Sequence, residues 1–200
     1  MTETNKEETW QEREAREAKE FRDKHLPKFF KTMEDLDVKY FAVEFSGGGD
    51  DGSVENPVFV KDAEIPSWSS IRLEVGISDQ MEWDDPNYQR LNRKADALHR
   101  HYLDPDNIGQ KYVYAQLQWD KASTRYTLNE YINEFVCMYM SSKGIDWYNN
   151  DGGDGEVIYE NGKLTVEGQT YYREDDPFEF EESYDSASGQ LKSDEAVNNG

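Results

Sequence analysis

The sequence predicts an α+β fold: a small antiparallel sheet with helices packed on one face, a long N-terminal helix and an acidic C-terminal tail. Three observations lead to this prediction. Short aromatic and β-branched runs separated by Gly/Asp turns indicate strands. Longer runs with apolar residues three or four positions apart indicate helices. The last part of the chain is rich in acids and poor in apolar residues. We expect a helical extension over residues 1–35 that packs on the domain, an α+β domain over 36–172 and a flexible tail over 173–200.

Residues 5–34 are predicted to form the long helix. They consist mainly of Glu, Lys, Arg and Ala, which are strong helix formers. Apolar residues recur at helical spacing and form one thin stripe, which includes His25. We interpret His25 as a packing residue. Pro27 either kinks this helix or starts a second one.

The next segments alternate between strands and one helix. Residues 40–45 are partly alternating and aromatic, which predicts a strand that runs into a Gly/Asp turn. Residues 54–60 predict a second strand, which Pro57 places at an edge or a bulge. Residues 71–75 predict a third short strand, and residues 88–102 a helix with one apolar face.

The second half of the domain carries the clearest local signals. Residues 111–119 fit a strand or the start of a helix. Residues 127–142 form the most apolar predicted helix, with Thr127 and Glu130 in the capping-box pattern. The pair Asn161-Gly162 between two alternating runs is typical of a tight β-hairpin.

Composition limits the classes of function. The chain has 22 Lys and Arg against 43 Asp and Glu, a net charge of −21. Residues 151–200 hold 3 of these cations and 14 of the acids and thus carry −11 of the total. Direct binding to nucleic acid depends on Lys and Arg, so the acidity of the chain argues against it. No apolar run is long enough to span a membrane and no signal peptide precedes the first strand, so we expect a cytoplasmic protein. The single cysteine, Cys137, excludes an internal disulfide and is expected to be a buried thiol.

Two glycine–aspartate motifs stand out. Residues 47–52 read GGGDDG after the first strand, and residues 147–156 read WYNNDGGDGE after the most apolar helix. They resemble the motifs of an uncharacterised family of small proteins from bacteria and their mobile elements, in which a strand leads into GxGDSG and a helix leads into WxNNDGxxGE before a hairpin. Asp51 stands where that pattern has serine. The resemblance implies an α+β arrangement and an origin in a phage or other mobile element, and it implies no particular reaction.

The two motifs admit two interpretations. They are tight turns that cap the sheet, because Gly, Asp and Asn favour turns. Alternatively, they form one shared site whose oxygen ligands bind Ca²⁺ or Mg²⁺, with Asp50 and Asp154 as the first candidates, although no EF-hand spacing is present. The candidate residues for a loop site are Glu44, Asp50, Asp51, Asn150, Asp151, Asp154 and Glu156.

The charge itself supports a third hypothesis. The chain lacks the G-x-S-x-G, Walker A and H-E-x-x-H motifs, so a non-catalytic protein is favoured. No cofactor is predicted apart from the Ca²⁺ or Mg²⁺ of the loop-site interpretation. From its charge, we interpret the protein as an acidic interaction module that binds or occludes a basic host protein, either a nucleic-acid-binding protein or a defence factor. The charge could instead serve solubility alone. The candidate partner-binding residues are Glu174, Asp175, Asp176, Glu179, Glu181, Glu182, Trp68 and Trp83.

Overall fold

The computed structural model describes residues 9–49, 51–117, 123–148, 151–171, 176–185, 187–188 and 190–191. They form an α+β fold, as predicted. The helices are α1 (Trp10–Glu20), α2 (Leu26–Asp35), α3 (Trp68–Glu74), α4 (Pro86–Leu103) and α5 (Leu128–Ser142). The strands are β1 (Tyr40–Gly48), β2 (Asp51–Val54), β3 (Tyr112–Ala115), β4 (Thr124–Thr127), β5 (Gly153–Glu160), β6 (Lys163–Thr170), β7 (Asp176–Asp185) and β8 (Gln190–Leu191).

The long N-terminal helix is interrupted before its proline. A π-helical turn, Phe21–His25, separates α1 from α2, and Pro27 lies in the first turn of α2. Proline fits there because the first turn of a helix does not use its backbone N–H groups. His25 is buried and stacks on Phe21 at 5.7 Å between ring centroids, which agrees with a packing role. Burial lowers the pKa of this imidazole.

The main sheet is antiparallel throughout, in the order β2-β1-β5-β6-β7-β8. The two-residue turn Asn161-Gly162 joins β5 to β6, and both turn residues have positive φ, as the predicted tight hairpin requires. Successive side chains on a strand point to opposite faces. One face therefore carries the buried residues Phe41, Val43, Phe45, Val157, Tyr159, Leu164 and Val166.

Aromatic packing holds α2 and α5 against this face. Phe29 of α2 stacks on Phe135 of α5 with 3.6 Å between ring centroids, and its ring lies edge-on to Phe41 of β1. Thr127 and Glu130 form both hydrogen bonds of the predicted capping box at the start of α5. Seven residues of α5 are buried, so this helix is the centre of the core.

The predicted strand at residues 71–75 is wrong, because this segment belongs to helix α3. Ser67 caps the helix by accepting a hydrogen bond from the backbone N–H of Ser70 at 3.2 Å. Ile71 and Val75 lie one helical turn apart and both pack in a second apolar cluster, whereas Leu73 is 72% exposed. This cluster joins α3 to α4 and is separate from the main core.

Other boundaries also shift. The predicted second strand begins earlier, as β2, and is broken after Val54; Val58 then makes only an isolated bridge to Ala42. The edge position expected from Pro57 agrees with the place of β2 at the end of the sheet. Of the two alternatives for residues 111–119, the described part forms a strand, β3, which pairs with β4. Cys137 is exposed rather than buried, because it lies on the side of α5 away from the sheet.

The largest difference lies in the predicted flexible tail, residues 173–200, of which the structure describes 176–185, 187–188 and 190–191 and the rest lies outside the described residues. Asp176–Asp185 forms β7, which pairs along its length with β6. Its alternation places Glu182 on the core face, where its side chain is 2% exposed and its Oε1 lies 2.8 Å from the Lys143 Nζ. The second oxygen of this carboxylate has no hydrogen-bond partner. The five acids among the ten residues of β7 made an integral strand resemble a disordered segment.

We predict that Lys143→Ala destabilises the protein by about 2 kcal/mol, because it leaves a buried carboxylate without its counter-ion. The value is below the usual range for a fully buried pair since the ammonium is about one-third exposed. Urea denaturation measures the loss. Lys163→Ala is the matched control, because Lys163 pairs with Glu181 on the exposed face of β6 and β7 and should contribute little. Equal effects of the two substitutions would contradict a buried position for Glu182 on β7.

Candidate functional site

The face of the sheet that points away from α2 and α5, which we call the acidic face, carries a continuous row of glutamates. The register pairs Glu44 of β1 with Glu156 of β5, Glu156 with Glu167 of β6, and Glu167 with Glu179 of β7. We call these four residues the glutamate row. Each row member thus lies directly opposite the next one on the neighbouring strand, at a Cβ separation of about 5 Å.

The glutamate row forms the floor of an open groove of about 1120 Å³. Other acids line the same groove, namely Glu55, Asp62 and Asp154. Within the described part of the chain, no Lys or Arg forms an ion pair with a row member. The nearest ion pairs on this face, Lys61 with Glu160 and Lys163 with Glu181, lie farther along the strands.

Partial burial and neighbouring negative charges act together on Glu156, one of the two central members of the row. The pKa of Glu156 is raised, first by partial burial and then by the negative charges of Asp62, Glu44 and Glu167. Like charges placed directly opposite each other destabilise a sheet. The glutamate row is therefore a feature that folding alone does not require.

The two glycine–aspartate motifs meet at one end of the same sheet. Gly47 of β1 pairs with Gly153 of β5, so the turn after β1 touches the segment before β5. A Cβ atom at Gly152 would lie 1.9 Å from the Gly47 carbonyl oxygen, and the φ of Gly152 is +81°. A Cβ at Gly52 would lie 2.7 Å from the Trp147 ring. These glycines let two backbones and an indole pack closely, which supports the turn interpretation.

The structure separates the candidate residues for a loop site. Glu44 and Glu156 belong to the glutamate row, and Asp154 borders it, where its Oδ1 accepts a hydrogen bond of 3.3 Å from Gln169. The Asp51 carboxylate accepts a 2.9 Å hydrogen bond from the Gly52 N–H, as a turn residue does. Asp151 is exposed. Asp50 and Asn150 lie outside the described residues.

Among the described residues, no group of three or more His, Cys, Asp or Glu side chains has the arrangement of a metal site. Since Asp50 is one of the two residues proposed to bind the ion, Ca²⁺ or Mg²⁺ binding stays a prediction. Carboxylate oxygens would be its ligands.

The partner-binding candidates do not form one surface. Glu179 and Glu181 lie on the acidic face, whereas Glu182 is buried against Lys143 and is not available to a partner. Asp176 pairs with Thr170 at the start of β7, and Glu174 and Asp175 lie outside the described residues. Trp68 and Trp83 belong to the α3–α4 unit, distant in sequence from β7, and their side chains are 39% and 76% exposed.

Three acids of the groove, Glu167, Glu55 and Asp62, are absent from the candidates that the sequence motifs and the tail supplied. The sequence does hold a signal for Glu167. A two-residue turn at Asn161-Gly162 pairs residue 160 with 163 and therefore Glu156 with Glu167. A hairpin with identical charges at a directly paired position is thus detectable from the sequence alone.

Comparisons of the chain with family models, curated proteins and solved structures find no match. They do not bear on the resemblance of the two glycine–aspartate motifs, which stays a prediction. Among the described helices, none combines the length and the apolar character that crossing a membrane requires. The function is therefore inferred from the geometry of the acidic face.

We predict that Glu156→Gln stabilises the protein at pH 7 by a few tenths to about 1 kcal/mol, because it removes a like-charge pair on each side. A raised pKa in the folded state means that the folded protein binds the proton more tightly than the unfolded chain. Stability is therefore lost as pH rises from the ordinary glutamate pKa through the raised one.

The gain from Glu156→Gln should accordingly be largest at neutral pH and small near pH 4. Urea denaturation at both pH values measures it, with Glu82→Gln as a control at an exposed acid in the loop before α4. A variant that is less stable than the wild type at pH 7 would show that the glutamate row does not strain the sheet.

Proposed function

We propose that the protein is a non-catalytic, cytoplasmic interaction module that binds a basic protein on the acidic face of its sheet. The glutamate row is the single observation that carries this proposal. Four carboxylates at directly paired positions lower the stability of the sheet, and a cationic partner would relieve their repulsion. Binding would thus recover free energy that the free protein lacks.

Solubility alone is a weaker explanation of the row. Charge that keeps a protein soluble acts from any exposed position and is best interspersed with the opposite sign. Here Glu44, Glu156, Glu167 and Glu179 are contiguous, and three more acids of the groove surround them. This concentration creates a local negative potential that steers a basic partner toward one surface.

The class of partner follows from the regular arrangement of the charges. Successive strands repeat at about 4.8 Å, so the row presents evenly spaced anionic oxygens across the sheet. Proteins that bind nucleic acid recognise rows of phosphate oxygens with Lys and Arg. A host nucleic-acid-binding or defence protein is the partner that we propose, and the mechanism is occlusion of its phosphate-binding surface. Such a function suits a protein encoded by a phage or mobile element.

We predict that neutralising the glutamate row abolishes capture of basic proteins. The row-neutral variant is Glu44→Gln, Glu156→Gln, Glu167→Gln and Glu179→Gln. The control variant is Asp79→Asn, Glu82→Gln, Asp84→Asn and Asp106→Asn, which removes the same charge from exposed acids outside the groove. Each immobilised protein is incubated with nuclease-treated host lysate, and the bound proteins are identified by mass spectrometry.

The wild type and the control should retain the same basic proteins, which the row-neutral variant should lose. Binding of a captured protein should weaken steeply with salt and compete with double-stranded DNA. Identical capture by the row-neutral and control variants would show that general acidity, rather than the row, attracts partners. Binding that DNA does not displace would rule out occlusion of a phosphate-binding surface.

A further inference from the structure

Helix α4 carries a basic surface in an otherwise acidic protein. Between Pro86 and Leu103 the chain has four cations, Arg90, Arg93, Lys94 and Arg100, and one acid, Asp96. All four cations are exposed. At 100° per residue they lie, with Ala97 and His101, within an arc of about 120° on one side of the helix. We call these four cations the basic stripe.

The basic stripe points away from the core of the α3–α4 unit. The opposite side of α4 holds Ala95, which is fully buried, and the partly buried residues Tyr88, Leu91, Leu98 and Tyr102. The stripe is therefore not needed for packing α4 in its own chain.

The cations of the stripe have no counter-ion in the described part of the chain. Arg93 and Arg100 donate from Nε to the carbonyl oxygens of Gln89 and Asp96 on α4 itself, at 3.3 and 3.2 Å. No described carboxylate forms an ion pair with any of the four. This differs from α1 and α2, where Lys and Arg pair with acids one turn away.

The basic stripe and the glutamate row are complementary in number and in length. Each presents four charges. From Arg90 to Arg100 the helix rises about 15 Å, at 1.5 Å per residue. Across the four strands from Glu44 to Glu179 the row spans about 14 Å, at roughly 4.8 Å per strand. A helix lying across the strands would place Arg90 and Arg100 near the two ends of the row, with Arg93 and Lys94 between them, closest to the second carboxylate.

An exposed aromatic side chain lies beside the stripe. Trp83 precedes the N-terminal end of α4, where the Gln89 Nε2 donates to its carbonyl oxygen, and its side chain is 76% exposed. Trp and Arg are enriched at the residues that contribute most to binding in protein interfaces. The same surface thus offers an apolar anchor next to the cations.

We propose that the basic stripe of one copy of the protein docks on the glutamate row of a second copy. This rests on the proposed function, since it takes the acidic face as a docking surface and names a partner that the chain itself supplies. The contact is heterologous, because two different surfaces meet, and it closes into a dimer only if both copies use both surfaces. A basic host protein would then compete with the second copy for the glutamate row.

The test is a mixing experiment monitored by sedimentation velocity. The stripe variant is Arg90→Glu and Lys94→Glu, and the row variant is Glu156→Lys and Glu167→Lys. In each variant the altered surface keeps two charges of each sign and has a net charge of zero, so it no longer attracts the opposite surface of another copy, and the variant should stay at the monomer mass of 23.4 kDa. In their mixture the intact stripe of the row variant can meet the intact row of the stripe variant, so the mixture should sediment at about twice that mass. The wild type should do the same at about 0.1 M salt and not at about 1 M. Lys19→Glu with Lys39→Glu makes the same charge change away from α4 and should leave association unchanged.

A wild type that stays monomeric up to millimolar concentration would overturn the proposal. So would a mixture that does not associate while circular dichroism shows both variants folded. If the wild type is monomeric but binds DNA through Arg90 and Lys94, the basic stripe serves nucleic acid instead and the proposal fails. If association fails while the row-neutral variant still loses its basic host proteins, the proposed function stands without self-association. If neither self-association nor capture of basic host proteins depends on the glutamate row, the proposed function and the self-association proposal both fail.

Discussion

The fold depends on the aromatic contact between two helices and one face of the sheet. Phe29 and Phe135 stack at 3.6 Å, and the rings of Phe41 and Tyr159 close the cluster from the strands. Because side chains alternate along a strand, burying this face fixes the register of every pairing and the side on which each remaining residue lies. On the other face of the sheet, the acids that alternate with these core residues are then aligned with one another across the strands. The same register that builds the core therefore builds the glutamate row.

The sequence predicted the elements whose signals are local. The hairpin of β5 and β6 follows from Asn161-Gly162, because few sequences other than this pair satisfy a turn with two positive φ angles. Helix α5 follows from its capping box and apolar face. The segment around Ile71 was predicted as a strand because a run of five residues fits both the alternating period of a strand and the period of a helix. The N-cap hydrogen bond of Ser67 favours the helix. β7 was missed because its pairing with β6 supplies the order that its acidic composition conceals.

The candidate site divides in the same way. The pairing of Glu156 with Glu167 can be derived from the turn between their strands, whereas the partnership of Glu44 with Glu156 joins residues more than 100 positions apart. No local pattern specifies that contact. The two glycine–aspartate motifs are conspicuous in composition, and Gly47, Gly52 and Gly152 allow close packing beside the acidic face. Of the candidates that the motifs and the tail supplied, Glu44, Asp154, Glu156 and Glu179 line one groove.

The strain in the glutamate row bears on how the protein can evolve. If each row member opposes folding, then replacing any of them by a neutral residue is a stabilising mutation, of the kind that random change supplies readily. A lineage selected only for a folded, soluble protein would lose the row one glutamate at a time. A lineage that needs the acidic face would keep all four and compensate elsewhere, for example in the aromatic core. The row would then be a record of selection for binding, retained despite its effect on stability.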